Sequence, residues 1–304
     1  MHLCPRPNSP FGINLIRALG RCEKILPSSG IRLLNELLGI PASQDKDINK
    51  KTESFEQVIQ KLSEITAIST VLNMDWPPGS SFIIEPEGSN GKRLDLLVKT
   101  PEKIYLFEVK CPYVLLERSK RSAVEIVVRN KNLDEIKSSF DKSITLPRDN
   151  SIRSFLESAS EKFIGFNQEK IHAEILILFW YEDMYRAISL LFDTECGIFT
   201  ENTWVKDESG AVNWFPQING IMLLNRYDAL SFGTGNPPFS HTPDPFVLST
   251  SGALRNVWLP NGLDFMPDER MLEAFGAAER EYFEEHEKYQ CVFMVTRMDQ
   301  SGTQ

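Results

Sequence analysis

No stretch of this sequence is apolar for long enough to cross a bilayer: the longest uninterrupted run, ILILFWY at 175–181, falls far short of the ~20 residues a spanning helix requires. The opening residues MHLCPRPNSP lack the apolar centre of a secretion signal, so the expectation is an intracellular, cytoplasmic protein with no membrane partner, a nuclear setting being left open. Cysteine is equally sparse. The five present (Cys4, Cys22, Cys111, Cys196 and Cys291) are scattered and odd in number, which excludes a disulfide framework, and with the four histidines they form no zinc spacing. A reducing compartment fits. The glycines of FGTGNPPFSHTPDPF (232–246) match neither a dinucleotide fingerprint nor a phosphate-binding loop, and the stretch reads as a loop. No serine or cysteine motif stands ready to join His172 or His241, so both histidines read as structural.

Positive charge is also in deficit, with a net charge of −9 that argues against coating nucleic acid through bulk electrostatics. The average hides a gradient. Residues 92–153 hold 14 Lys/Arg against 9 Asp/Glu, whereas residues 154–304 hold 10 against 23. Solvated helix faces would account for such asymmetry, and so would a basic surface beside a site.

What is present is a folding chain: 41% hydrophobic residues over 304 positions can fill a sizeable core. Residues 1–53 read as a helical lead-in, INLIRALGRCEKIL and IRLLNELLGI, followed by a polar link; no chemistry is assigned to it. From Ser54 to Leu72 apolar residues recur at helical spacing, with Ser54 and Gln57 as a capping box. Strands are predicted at SFIIEPE (81–87), RLDLLVK (93–99), IYLFEVK (104–110) and AEILILFWY (173–181), and a helix or two short helices over 119–140. The expected fold class is α/β, a mixed β-sheet flanked by helices, with an αβββαβ core over 54–194. Residues 195–304 are expected to form a β-rich extension, with strand-like pieces at GIFTENTWV, AVNWFP and NGIMLLNRY, an acidic C-terminal helix DERMLEAFGAAEREYFEEHEKY and a last strand CVFMVTRM.

One stretch is harder to explain as packing. KIYLFEVKCP (103–112) is apolar enough for a buried strand, yet carries Glu108 and Lys110. If Pro101 and Glu102 form the loop of a hairpin, positions facing each other sum to 203, and Asp95 falls opposite Glu108. Facing residues on antiparallel strands have Cβ atoms ~4.5–5.5 Å apart, so the two carboxylates share a face; Lys110, two residues on, shares it too. Paired carboxylates repel unless a counter-charge sits between them. Oxygen ligands without His or Cys suit magnesium or manganese rather than zinc, and such an ion beside an ammonium suits phosphodiester hydrolysis, with Lys110 orienting a water or stabilising the transition state. The basic stretch ERSKRSAVEIVVRNK follows, in which Lys120 and Arg121, with Arg129 and Lys131, are candidate phosphate contacts. Trp204, Trp214 and Trp258 read as core before base-stacking surface.

The text RLDLLVKTPEKIYLFEVK, within a helix, three strands, helix, strand order, resembles the PD-(D/E)XK nuclease superfamily over roughly residues 54–181. Leu94 stands where the motif's proline would be. The resemblance implies a restriction-endonuclease-like fold and a nuclease using Mg2+ or Mn2+, with Asp95, Glu108 and Lys110 catalytic, Asp95, Glu108 and the Val109 carbonyl around the metal, and DNA before RNA as substrate. It also implies a glutamate from the first helix. Glu56 and Glu64, both set opposite the apolar stripe, and Glu85 are open candidates, each of which also reads as a solvated surface residue. An inactive nuclease fold that binds nucleic acid or a protein, an RNA-cleaving endonuclease of viral or retroelement type, and a homodimer remain alternatives.

Overall fold

The structure, a computed structural model, describes residues 7–41, 48–113, 124–129, 150–166, 172–180, 184–192, 197–233, 244–249, 256–261, 265, 267–279 and 291–296. Helix α1 (Pro10–Ile25) starts on Ser9, whose hydroxyl accepts from Gly12 N at 3.0 Å, with proline at the first helical position, where a missing N–H costs nothing. Helix α2 (Ser29–Gly39) crosses α1 at Gly30, where a Cβ would lie 2.3 Å from the Leu19 carbonyl oxygen. Both pack on α3 (Ile48–Leu72), which begins six residues before the capping box expected at Ser54; Ser54 lies inside the helix and is buried.

Strands β1 (Ser81–Ile84), β2 (Leu96–Lys99) and β3 (Ile104–Lys110) make an antiparallel meander. Strand β4 (Val124–Arg129) lies elsewhere, and the chain crosses over through α4 (Asn150–Ile164) to β5 (His172–Phe179), parallel to β3. Helix α5 (Met184–Phe192) then leads to β6 (Gly220–Leu224), parallel to β5. After α6 (Tyr227–Gly233), β7 (Asn256–Pro260) runs antiparallel to β6, and α7 (Glu269–Phe275) leads to β8 (Ala277–Glu279), parallel to β7. The seven-stranded order is β1-β2-β3-β5-β6-β7-β8, so the fold is a mixed α/β sheet with helices against it, and residues beyond 195 extend the same sheet. β5 and β6 are buried along their described lengths, which is why they read as continuous apolar runs without alternation. Among the described residues no helix is long and apolar enough to cross a membrane.

Several expectations are corrected. The segment 124–129, expected within a helix, is β4, paired antiparallel with β9 (Cys291–Thr296); Val124, Ile126, Val127 and Val128 are β-branched residues that stiffen an extended chain. The remainder of 119–140 lies outside the described residues; among the described residues of the β3–β5 crossover the helix is α4. The strands expected at GIFTENTWV and AVNWFP are turns joined by one bridge, Lys206 to Val212. The helix expected over 268–289 stops at Phe275, because Gly276 takes a left-handed φ of 54° that caps it, and residues 277–279 turn to strand; residues 280–289 lie outside the described residues. The cap at the other end of the helix, Asp268, is held below the usual carboxylate range, chiefly by its hydrogen bond with the Arg270 guanidinium. Of the tryptophans expected in the core, Trp258 is there, Trp204 is half-buried and Trp214 is exposed.

Gly220 opens β6 because nothing larger fits: a Cβ there would lie 2.2 Å from the Trp258 ring on β7. Neither strand can move without breaking the sheet. Gly220→Ala is expected to cost about 2 kcal/mol, the size usual for overpacking a filled core, read from the midpoint of urea unfolding.

Candidate metal centre

The hairpin turn fixes everything that follows. Thr100 N donates to the Lys103 carbonyl at 2.9 Å, and Thr100 Oγ1 accepts from Lys103 N at 3.0 Å while donating to the same carbonyl at 2.9 Å. This closed turn sets the pairs Lys99 with Ile104, Val98 with Tyr105, Leu97 with Leu106 and Leu96 with Phe107, the register expected from the sequence. The same register carried one step further sets Asp95, just before β2 begins, opposite Glu108. The Asp95 backbone carbonyl accepts from Glu85 N at 3.1 Å, and its Oδ2 accepts the Val109 N–H at 2.6 Å. At Val109 the contact with Asp95 is therefore made by the N–H; a metal contact from its carbonyl belongs to the proposal below.

Glu108 is the more deeply buried member of the pair, with 1% of its side chain exposed against a half-buried Asp95. The Oε1 of Glu108 accepts from Lys110 Nζ at 2.8 Å and from Lys162 Nζ at 2.5 Å. Its Oε2 is buried with no hydrogen-bond partner among the described residues. Both lysines are mostly covered, at 19% and 23% exposure. The proton affinity of Asp95 is pushed well up, first by burial and then by the charges of Glu108 and Glu64; Lys162 and the Val109 N–H act the other way without cancelling it. The strand ends thus hold two carboxylates in electrostatic contact, one of them with an unused buried oxygen.

The three glutamates left open by the sequence separate clearly. Glu64 of α3 is the one whose charge acts on Asp95, and burial raises its own proton affinity in turn, against the opposing pull of Lys61. Lys61 Nζ lies 2.6 Å from Glu64 Oε2 and 2.8 Å from Glu36 Oε2. Glu85, at φ 52°, completes a group in which one ligand oxygen each of Glu36, Glu64 and Glu85 lies within 4.8 Å of the others, with Arg32 bridging Glu36 and Glu85. Glu56 points elsewhere: it is fully buried, and its Oε2 accepts from Tyr227 OH at 3.2 Å. The expectation of a solvated Glu56 fails because α3 is enclosed by α1, α2, α6, α7 and β3, so the polar side of its wheel also faces protein. Ser63 and Thr66 on that helix are buried as well, their hydroxyls bonded back to the carbonyls of Ile59 and Leu62.

The donor set suits a hard divalent cation. It offers carboxylate oxygens, including a buried one whose bonding capacity is unmet, and neither histidine nor a reactive thiolate. Cys111, the adjacent thiol, is pushed up to about 12 by burial and stays protonated, which makes it a packing residue rather than a ligand. Gln60 of α3 holds its carbonyl at 3.0 Å. Magnesium or manganese would be held by Asp95 and Glu108.

Lys162 and Glu36 are the members of this neighbourhood that the sequence did not announce. Lys162 is 52 residues beyond Lys110 and belongs to α4, a segment the sequence does not single out; Glu36 sits in the lead-in, to which the sequence attaches no chemistry. Lys120, Arg121 and Lys131 lie outside the described residues, and Arg129 is on β4. No family model matches the chain, and neither a curated protein nor a solved structure matches it.

Proposed function

We propose that this protein is a divalent-cation-dependent nuclease of the PD-(D/E)XK type that hydrolyses phosphodiester bonds, of DNA before RNA, at Asp95, Glu108 and Lys110. The observation that carries this reading is the pairing of Asp95 with a buried Glu108 whose Oε2 has no partner, within reach of an ammonium. A bound Mg2+ or Mn2+ supplies Lewis acidity to the scissile phosphate and makes a nearby water more acidic. Asp95 is oriented by the Val109 N–H, and Glu108 by Lys110 on the same strand, so both carboxylates are held in place for a cation. Lys110, partly open to solvent, carries three donors that can hold the attacking water and, as the phosphorus becomes five-coordinate, stabilise its extra negative charge. The Val109 carbonyl as a further metal contact, Lys120 and Arg121 as phosphate contacts, the cytoplasmic setting with the nucleus left open, and a homodimer are parts of the same proposal.

Incubation of the purified chain with plasmid, single-stranded DNA and RNA, each with Mg2+, Mn2+ or EDTA, tests it. Cation-dependent cleavage is the expected result, and running DNA beside RNA also separates an RNA-cleaving enzyme of viral or retroelement type. Intact substrates together with no heat of manganese binding would overturn it. A second reading has one observation in its favour, since two ammonium groups already share Glu108 Oε1: the site is then a neutralised relic in a module that binds nucleic acid or a protein. Retention of nucleic acid that is indifferent to EDTA and to Asp95→Asn, without cleavage, would select that reading.

A further inference from the structure

Lys162 is a second ammonium on Glu108, and its charge also acts on Asp95, to which neither it nor Lys110 is bonded among the described contacts. A single lysine neutralises a buried carboxylate, and Lys110 already does so from two residues away on the same face of β3. Lys162 nevertheless reaches the same oxygen from the last turn of α4, while the other oxygen has no partner. Both ammonium groups therefore crowd one side of the carboxylate. We propose that Lys162 is a second phosphate-facing ammonium of the site, which rests on Glu108 in the cation-free protein and turns to the substrate phosphate when a cation takes that carboxylate; the inference rests on the cation-dependent reading above.

The surroundings of Lys162 support a held rather than an incidental position. The loop between β1 and β2 grips the end of α4: Ser89 donates to the Gly165 carbonyl through its N–H at 2.8 Å and its hydroxyl at 2.9 Å, and Asn90 Nδ2 donates to the Glu161 carbonyl at 2.7 Å. Lys92 pairs with the Glu161 carboxylate. These contacts take up carbonyls that a helix end otherwise leaves open to water. Gly165 leaves room for the Asn90 amide, since a Cβ there would meet Asn90 Oδ1 at 2.3 Å and turn that side chain away from the Glu161 carbonyl. The same loop runs on into Asp95, so one segment sets the acid and the second ammonium relative to each other. From a fixed backbone, the four-carbon stem of a lysine lets Nζ swing by several ångströms, and its 23% exposure leaves a side open to an incoming anion.

Lys162→Met keeps the stem and deletes the charge. Manganese affinity, measured by calorimetry on the full chain without nucleic acid, is expected to rise at least threefold, because the ammonium that competes for Glu108 is gone. The KM for a DNA duplex is expected to rise at least tenfold, with Lys162→Arg restoring most of it. Thermal unfolding confirms that both variants are folded. If wild type binds manganese but Lys162→Met leaves both the metal affinity and KM unchanged, Lys162 is a structural ion-pair partner only and this inference alone is overturned. If wild type binds no manganese, the cation-dependent reading fails and takes the inference with it.

Discussion

Replacing Asp95 by asparagine is expected to make the protein more stable at neutral pH while abolishing manganese binding and cleavage. The folded protein holds the Asp95 proton more tightly than the unfolded chain does, through burial first and then the charges of Glu108 and Glu64. Below the ordinary value of 3.8 both states are protonated and the residue contributes nothing to the difference. Between 3.8 and the raised folded value, the native state keeps a proton that the unfolded state has released, so stability falls as pH rises through that window. Above it the cost is complete and constant. Asparagine keeps an oxygen for the Val109 N–H and removes the charge, so the gain should be about 0.5–2 kcal/mol near pH 7 and vanish in acid. Urea unfolding across pH, without divalent ions, measures it. Manganese should raise the Tm of wild type by mass action and leave that of Asp95→Asn unmoved. A variant destabilised at neutral pH would show that the Asp95 carboxylate is well compensated and that no cation is called for.

The half of the site lying on the hairpin was legible because local rules alone determine it. A turn of known residues fixes a register, the pleat has period two, and from these Asp95, Glu108 and Lys110 fall on one face. The half supplied by helices was not legible, since helix packing depends on which elements meet, and that is a property of the whole chain. Lys162 illustrates this. The segment NSIRSFLESASEKFI has Ile152, Leu156, Ala159 and Phe163 on its buried side, a pattern interrupted by serines and acids that gives a weaker signal than the β-branched run at 124–128. That run favours a strand by its side chains, but its partner β9 begins more than 160 residues further on, so nothing local announces the pairing. Glu56 and Glu64 show the same limit on one helix. Eight residues apart, they lie near one another on the wheel, yet Tyr227 of α6 meets the first and Lys61 the second, and only the assembled fold separates a buried structural acid from one that acts on Asp95.

Removing the other acid should have the opposite effect on stability. Glu108→Ala leaves the ammonium groups of Lys110 and Lys162, both about four-fifths covered, facing the space where one carboxylate oxygen held them. Breaking a buried ion pair by deleting one partner costs far more than the intact pair contributes, so a loss of about 3 kcal/mol is expected, together with loss of manganese binding. Glu108→Gln fills the same volume and still accepts from a lysine, so it should lose less stability but no less metal affinity. Adding Lys162→Met to Glu108→Ala relieves the repulsion and should recover part of the loss, a non-additivity that a double-mutant cycle reads directly. The two acids of one centre are thus predicted to move stability in opposite directions, because Glu108 is paired through Oε1 whereas Asp95 has one backbone N–H and the charge of Lys162 against burial and two acidic neighbours. If Glu108→Ala proved as stable as wild type, the lysines would not be held by that carboxylate, and the arrangement from which both the hydrolytic reading and the role of Lys162 are argued would not exist in solution.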